Sequence, residues 1–181
     1  MKASALCWGI ALAACRGSGG GEVLAPPGTT METLAVTSRS FPSNGDIPVD
    51  YTCDGADRSP ELTWSAPPAG TQSFAVVVED PDAASGTFTH WVVYNVNADT
   101  RSLPEAVDPS TVGGASGLND FKRPGYGGPC PPHMEIHHYS FRVFALNAPL
   151  GGGPELSRDA LDSAMSGHVL AAGTLVGAFS R

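Results

Sequence analysis

Residues 74–82 have the sequence FAVVVEDPD, an apolar run of strand length that ends in acidic residues and a proline. An apolar run without polar alternation predicts a strand that is buried on both faces near the centre of a sheet. The segment Trp91–Val96 is a second such run, and Tyr139–Leu146 is a third. These strands indicate that a sheet forms the core of the fold.

The remaining segments predict shorter elements. We expect short strands at Thr33–Ser38, Val49–Cys53 and Glu61–Trp64, and a last strand at Thr174–Phe179. Residues 97–124 are rich in glycine and predict a long irregular loop. The 22 Gly and 16 Pro are spread along the chain and favour many turns.

A single helix is expected late in the chain. Ser157 is a typical N-cap residue with Asp159 in the following turn, so the helix begins at about Arg158. Apolar residues at helical spacing extend it towards His168, with a bend at Gly167. The prediction is therefore a mainly β fold, an antiparallel β-sandwich with a small C-terminal helical addition.

Length and charge restrict the possible partners. The chain has 181 residues, enough for one domain, and carries a formal net charge of −8 with only 10 Lys and Arg. No basic stripe is available to neutralise phosphates, which argues against a nucleic-acid partner. The same charge disfavours electrostatic docking on an acidic membrane.

The N-terminal residues have the pattern of an export signal. An apolar run from Ala3 to Ala14 follows Lys2, and the segment Leu12–Cys15 resembles the lipobox of bacterial lipoproteins. We expect residues 1–14 to be a lipoprotein signal peptide, Cys15 to be lipidated, residues 15–30 to be a flexible Gly/Ser/Pro tether and residues 31–181 to be the folded domain. The alternative is an ordinary signal peptide cleaved near Ala14. Either reading predicts an exported bacterial protein, membrane-anchored through its lipid or periplasmic.

Four cysteines divide between the leader and the domain. Cys7 lies in the apolar run and Cys15 is the lipid acceptor, which leaves Cys53 and Cys130 as a pair. In an exported domain this pair is a disulfide candidate, with two buried reduced thiols as the alternative.

Acidic, histidine and tyrosine residues that could bind a ligand lie at the ends of the predicted strands. Asp80 and Asp82 come directly after one apolar strand, and His90 comes directly before the next. If these strands pair antiparallel, the side chains share one edge of the sheet. His137 and Tyr139 are two residues apart and face the same way, whereas His138 faces the opposite way.

A glycine- and proline-rich segment lies between these groups in sequence. Residues 127–132 read GGPCPP, and Gly128 lets the backbone come close to a ligand. We expect N–H groups of this segment to be open to an anion.

Several motifs in this order resemble the phosphatidylethanolamine-binding protein family, in particular its bacterial Raf kinase inhibitor-like (YbhB/YbcL) branch. The motifs are YTCDG at 51–55, SPELTW at 59–64, DPDA at 80–83, HWVVYN at 90–95, GYGGPCPP at 125–132, HHYSF at 137–141 and GHVL at 167–170. The resemblance implies a β-sandwich with a small anion-binding pocket, used in relatives for phospholipid head groups or partner proteins. Matched residue by residue, that pocket comprises Asp80, His90, Tyr126, Pro131, His137 and Tyr139.

This chain departs from the family pattern at three places. His138 stands where the family usually has arginine, and Ala84 stands where the first segment usually closes with proline. Glu135, preceded by Met134, puts a negative charge near the pocket mouth.

The expected function is non-enzymatic binding of a small anionic or zwitterionic ligand, of the phosphate or phosphoethanolamine type, without a cofactor. Histidines and Tyr139 would donate to ligand oxygens, and the carboxylates would suit an ammonium group. The alternative is a kinase or protease inhibitor-like interaction module with a vestigial pocket. Without a ligand, Asp80 and His90 would be a buried structural pair.

The sequence motifs give less support to an enzyme or a metal-binding site than to a ligand-binding site. A metal site formed by His90, His133, His137 and Asp82 is conceivable, but the HMEIH segment at 133–137 places its glutamate wrongly for a zinc protease. Ser116 lacks the second glycine of a nucleophile elbow.

Overall fold

The computed structural model describes residues 25–26, 28, 30–151, 153 and 155–181 of the chain. The predicted signal peptide, the lipidation of Cys15 and most of the tether lie outside the described residues. The strands and the helix are β1 Glu32–Thr33, β2 Val36–Thr37, β3 Gly45–Asp46, β4 Leu62–Trp64, β5 Ser73–Asp80, β6 Phe88–Asn97, β7 Ser102–Leu103, β8 Ala115–Ser116, β9 Ile136–Leu146, α1 Arg158–Met165 and β10 Val169–Ser180.

Two sheets form the described part of the domain. The larger sheet has the order β1-β10-β9-β5-β6-β8, with β3 also paired to β10, and the smaller sheet has the order β2-β4-β7. The strands β5, β6 and β9 pair antiparallel, as do β9 and β10, whereas the short β1 and β3 run parallel to β10. The mainly β prediction is thereby confirmed, with β5 buried along its whole length.

Alternate residues of β5 contribute to two separate apolar layers. Phe74, Val76 and Val78 belong to the core that includes Leu62 and Trp64 of the smaller sheet. Ala75 and Val77 face the opposite layer, which contains Leu161 and Met165 of α1. The helix therefore covers one face of the large sheet and the small sheet covers the other.

The helix α1 begins where the sequence indicates. The Ser157 side chain accepts a hydrogen bond from the Ala160 N–H, which satisfies one of the free donors of the first turn. The expected bend at Gly167 is wrong, because the helix ends at Met165 and Gly167 has a positive φ of 79°. His168 consequently lies beyond the helix, where its Nδ1 is 2.8 Å from Oδ1 of Asn147.

The strand predicted at Val49–Cys53 is also wrong. Residues Val49–Tyr51 form a 3₁₀ helix directly after Pro48. Its turn is closed by bonds from the Tyr51 N–H to the Pro48 carbonyl and from the Thr52 N–H to the Val49 carbonyl. These local bonds use the backbone groups that a strand would offer to a neighbour.

Candidate functional site

A β-bulge places His90 at the edge where β5 ends. Val78 pairs with Trp91, but Glu79 pairs with Thr89, so His90 is the extra residue on β6. The strand already begins at Phe88, so His90 lies within β6 and not before it. Because β5 and β6 are antiparallel, His90 and Asp80 share one edge, as the sequence predicts.

The His90 ring is enclosed by aromatic side chains. Its centroid lies 5.1 Å from that of Phe88, 5.5 Å from that of Phe121 and 5.3 Å from that of Tyr139. Its Nδ1 is 2.7 Å from the carbonyl oxygen of Gly127, so the N–H lies on Nδ1 and donates to that oxygen. Burial lowers the pKa of His90, which keeps the imidazole neutral at neutral pH.

His137 is paired with a buried carboxylate. Its Nδ1 is 2.7 Å from Oδ2 of Asp80, and the two residues are only 5% and 4% exposed. The other nitrogen, Nε2, is 3.3 Å from Oε2 of the exposed Glu135. Burial disfavours the imidazolium, but the hydrogen bonds to Asp80 and Glu135 and the charges of Asp80 and Asp82 outweigh it and raise the pKa of His137. The Asp80 partner is thus His137, not His90.

Tyr139, whose ring contacts that of His90, has a buried hydroxyl. The residue is 0% exposed, and among the described residues its hydroxyl has no hydrogen-bond partner. Burial and then the charge of Asp80 raise the pKa of Tyr139, so the hydroxyl stays protonated and can donate. An unsatisfied buried hydroxyl is costly in a folded protein and requires an explanation.

Asp82 lies just outside this group. It is bound to the neighbouring His138: its Oδ2 accepts from the His138 backbone N–H at 2.9 Å and lies 2.8 Å from Nδ1. These bonds lower the pKa of Asp82. Its own N–H donates to Oδ1 of Asp80 at 2.9 Å. The backbone of Asp82 therefore helps to hold the Asp80 carboxylate in place. His138 is exposed and faces the opposite way from His137, as strand alternation predicts.

The segment that contains Gly128 packs on the protein itself. The Gly128 N–H donates to Oδ1 of Asp57 at 2.6 Å, and the Gly127 N–H donates to the His90 carbonyl at 3.1 Å. The expectation that these N–H groups are open to an anion is therefore not met. A Cβ at Gly128 would lie 2.4 Å from the carbonyl oxygen of Tyr51, so glycine is needed here for close packing.

Two further residues of the predicted pocket also have structural contacts. The Tyr126 hydroxyl donates to the Tyr51 carbonyl at 2.9 Å, and its ring lies edge-on to Trp91 at 5.7 Å. Pro131 is buried in the same segment. The structure thus brings Asp80, His90, His137 and Tyr139 together, with Asp82, Tyr126 and Gly128 beside them, and no contact of Pro131 with this group is described.

A disulfide joins this segment to the segment that contains Cys53. Cys53 and Cys130 are bonded, with their Cα atoms 5.4 Å apart. The Cys53 N–H also donates to the Pro129 carbonyl at 3.1 Å. Residues 51–57 and 126–130 are thereby held together.

Sequence reasoning missed several residues that shape the site. Asp57, Phe88 and Phe121 contact the site from segments without any motif of their own. The sequence predicts the negative charge of Glu135 near the pocket mouth, but it does not predict the contact between Glu135 and His137. No group of three or more metal-binding side chains occurs in the described ranges, and no helix there is long and apolar enough to cross a membrane.

The fold and the buried histidine–carboxylate–tyrosine group are those of a small mainly β domain with a polar site at a sheet edge. The family model described as phosphatidylethanolamine-binding protein matches residues 37–180. The chain belongs to this family, which confirms the resemblance seen in its motifs.

Similar proteins support this assignment. A UPF0098 protein of Aquifex aeolicus is 47% identical over 152 residues, which are 82% of this chain and 89% of that protein. A Mycobacterium tuberculosis protein named "Putative lipoprotein LppC" is 37% identical over 186 residues, covering 93% of this chain and 91% of its own. The crystal structure of Escherichia coli YbcL, titled a new member of the mammalian PEBP family, matches with a TM-score of 0.76 and 32% identity over 82% of this chain and 98% of that one.

Proposed function

We propose that the domain binds a small anionic or zwitterionic ligand of the phosphate or phosphoethanolamine type at His90, His137 and Tyr139. One observation carries this proposal: a carboxylate of the exposed Glu135 already lies 3.3 Å from Nε2 of His137. That nitrogen therefore faces a position which accepts an anionic oxygen and which the solvent can reach. A ligand oxygen would replace the Glu135 carboxylate there.

The neighbouring groups suit the same ligand. The Tyr139 hydroxyl is buried without a partner among the described residues, so a ligand oxygen that reached it would satisfy it. The Glu135 carboxylate, once displaced, and the exposed Asp82 provide negative charge for an ammonium group. This balance favours a zwitterion over a highly charged anion.

The site is better suited to binding than to catalysis. Both Nδ1 atoms of its histidines are held by acceptors of the protein, Gly127 and Asp80. The raised pKa of Tyr139 makes its hydroxyl a hydrogen-bond donor and a poor nucleophile. We therefore propose that the chain is a binding protein and not an enzyme.

The proposed location follows from the leader sequence and one relative. The segment Leu12–Cys15 resembles a lipobox, and LppC, with a lipoprotein name, aligns over 93% of this chain. We propose export and lipid anchoring at Cys15. Labelled palmitate should enter the wild type and not Cys15→Ser, and equal labelling of both would contradict the anchor.

The direct test of the ligand site is an NMR titration of the imidazole signals with O-phosphoethanolamine, and separately with inorganic phosphate. Saturable shifts of His90 and His137, without a shift of His168, are the expected result. His137→Gln should abolish saturation. His168→Gln, which alters a histidine bound to Asn147, is the matched control. Absence of shifts at millimolar ligand would contradict the proposal.

A protein-interaction function is the second candidate. Beside the site, Met134 is 95% exposed and Ile136 is 66% exposed, which is unusual for apolar side chains of this size. If this surface binds a partner protein, Met134→Ser with Ile136→Ser should reduce partner retention and leave the phosphate titration unchanged.

A further inference from the structure

The two sulfurs of the Cys53–Cys130 disulfide have different electrostatic surroundings. Both cysteines are exposed, and the guanidinium of Arg181 lies over the bond. Its Nη1 is 3.1 Å from Sγ of Cys130 and 3.7 Å from Sγ of Cys53. The positive charge is therefore nearer to the Cys130 sulfur.

A carboxylate increases this asymmetry. Oδ1 of Asp54 lies 3.9 Å from Sγ of Cys53, and Oδ2 of the same residue is 3.3 Å from Nε of Arg181. On the other side of the guanidinium, Nη2 is 3.4 Å from Nε2 of His133. Asp54 and His133 thus position Arg181, and Asp54 places negative charge beside Cys53.

These charges determine which sulfur leaves during thiol–disulfide exchange. A nearby cation stabilises a thiolate and lowers the pKa of its thiol, whereas a nearby carboxylate opposes the charge. The sulfur with the lower thiol pKa is the better leaving group. The charges therefore favour Cys130 as the leaving group and Cys53 as the sulfur that an incoming thiolate attacks.

We propose that this disulfide is an exchange site, opened at Cys53 by a dithiol reductant. The reductant thiolate attacks Sγ of Cys53, the bond between Cys53 and Cys130 breaks, and Cys130 leaves with the electron pair as a thiolate beside Arg181. The second thiolate of the reductant then attacks its own sulfur in the mixed disulfide and releases Cys53. The reductant becomes a disulfide, two electrons pass to the cysteines, and its two protons pass to the cysteines or to water.

Opening the bond would loosen the segment that supports the candidate site. The disulfide and the bond from the Cys53 N–H to Pro129 join residues 51–57 to the segment whose Gly127 carbonyl accepts from His90. This consequence rests on the proposed function, whereas the exchange chemistry does not depend on it. Loss of the ligand-induced NMR shifts on reduction would show that the ligand site has loosened. Mass spectrometry measures the exchange chemistry separately.

The experiment uses the folded oxidised protein and reduced glutathione, quenched at short times with N-ethylmaleimide and acid. Peptide mass spectrometry then locates both modifications. Glutathione is expected on Cys53 and maleimide on Cys130, in at least fivefold excess over the reverse product. Equal or reversed labelling, or no reaction of the folded protein, would overturn the proposal.

Arg181→Gln should slow the exchange several-fold and reduce the preference for Cys53, the remainder of which is due to Asp54, and Arg181→Lys should restore part of both. Arg39→Gln is the matched control, because it removes an exposed arginine that pairs with Glu61 and not with the disulfide. An Arg181→Gln variant with unchanged rate and selectivity would contradict the role of the guanidinium.

Single-cysteine variants provide a test that does not require exchange. In Cys53→Ser, the pH dependence of iodoacetamide alkylation gives the pKa of Cys130, expected below about 8.5, the ordinary value for a cysteine thiol. In Cys130→Ser, the pKa of Cys53 should be higher than that of Cys130. The reverse order would overturn the assignment of the leaving group.

Discussion

At the scale of single residues, we expect Glu135 to affect ligand affinity in the proposed site more directly than any other described residue. Its carboxylate lies 3.3 Å from Nε2 of His137, in the position proposed for a ligand oxygen. The side chain is more than half exposed, so the contact is weak and can be displaced. In the proposed site, Glu135 would therefore compete with a bound anion for His137.

We therefore expect Glu135→Gln to tighten phosphate binding by up to about fivefold, corresponding to about 1 kcal/mol for an exposed charge contact. Isothermal titration calorimetry at constant pH and salt measures this change. Glu32→Gln, which removes the same charge from the exposed strand β1, should have little effect. Weaker phosphate binding in Glu135→Gln would show that Glu135 is not a competitor.

His90 and His137 should make folding stability depend on pH in opposite directions. Because the folded-state pKa of His137 is raised, its contribution to stability is fully present below its ordinary pKa and is lost as pH rises through the raised value. The pKa of His90 is lowered, so its effect is reversed: stability falls as pH drops below the ordinary histidine value. The two imidazoles therefore titrate on opposite sides of the ordinary histidine pKa, His137 above it and His90 below it.

Anion binding should accordingly weaken as pH rises through the pKa of His137. Sulfate is the suitable probe, because its charge does not change in this range. NMR titration of the imidazole signals should place the midpoint of His137 above, and that of His90 below, about 6.5. Midpoints in the reverse order would contradict the assigned roles.

At the scale of elements, the segment 126–130 is positioned by its packing against residues 51–57. The Cβ that alanine would add at Gly128 would lie 2.4 Å from the Tyr51 carbonyl oxygen and 2.8 Å from the Thr52 Cα, both backbone atoms. Backbone cannot move aside as a flexible side chain can, so the two segments would have to separate.

We expect Gly128→Ala to lower the free energy of unfolding by about 1–3 kcal/mol, the usual cost of overpacking. Gly151→Ala is the control, because nothing lies within 4 Å of a Cβ there and its φ is not in the left-handed region. Urea denaturation of both variants measures the difference. Equal stability of the two would mean that the close approach at Gly128 is not required.

The sequence predicts long apolar strands better than elements formed by contacts between distant residues. The strands β5, β6 and β9 were recognisable from their apolar runs alone. β10 was predicted at Thr174–Phe179 but spans Val169–Ser180. Its glycines weaken the strand pattern, and they are needed because a Cβ at Gly173 would lie 2.2 Å from the Leu34 carbonyl oxygen.

The same limit applies to the site. Strand alternation correctly predicts that His137 and Tyr139 face the same way and His138 the opposite way, and the structure shows that the first two are buried and His138 is exposed. It cannot assign Asp80 to His137, because that pair is 57 residues apart and depends on how β5 meets β9. The bond from Gly128 to Asp57 spans 71 residues and has no local signal.

At the scale of the whole molecule, the disulfide is the longest covalent constraint in the described domain. Cys53 and Cys130 are separated by 77 residues. Closing a loop of this length restricts the unfolded chain and stabilises the fold by about 4–5 kcal/mol in the chain-entropy model.

The reduced protein should therefore be less stable than the oxidised protein by about 4–5 kcal/mol. Urea denaturation with and without a dithiol reductant measures the difference, and Cys53→Ser with Cys130→Ser should behave like the reduced wild type in both conditions. An unchanged midpoint on full reduction, verified by alkylation of both thiols, would refute a stabilising bridge.

Two adjacent carboxylates of β5 form ion pairs on opposite sides of the large sheet. Glu79 forms ion pairs with Arg158 of α1 at 2.7 Å and Arg142 of β9 at 3.5 Å, whereas Asp80 holds His137 at 2.7 Å. Under the proposed function, natural selection acts on Glu79 through folding and on Asp80 through ligand recognition. Homologues with a new ligand should therefore vary at Asp80 while they retain Glu79 together with Arg158.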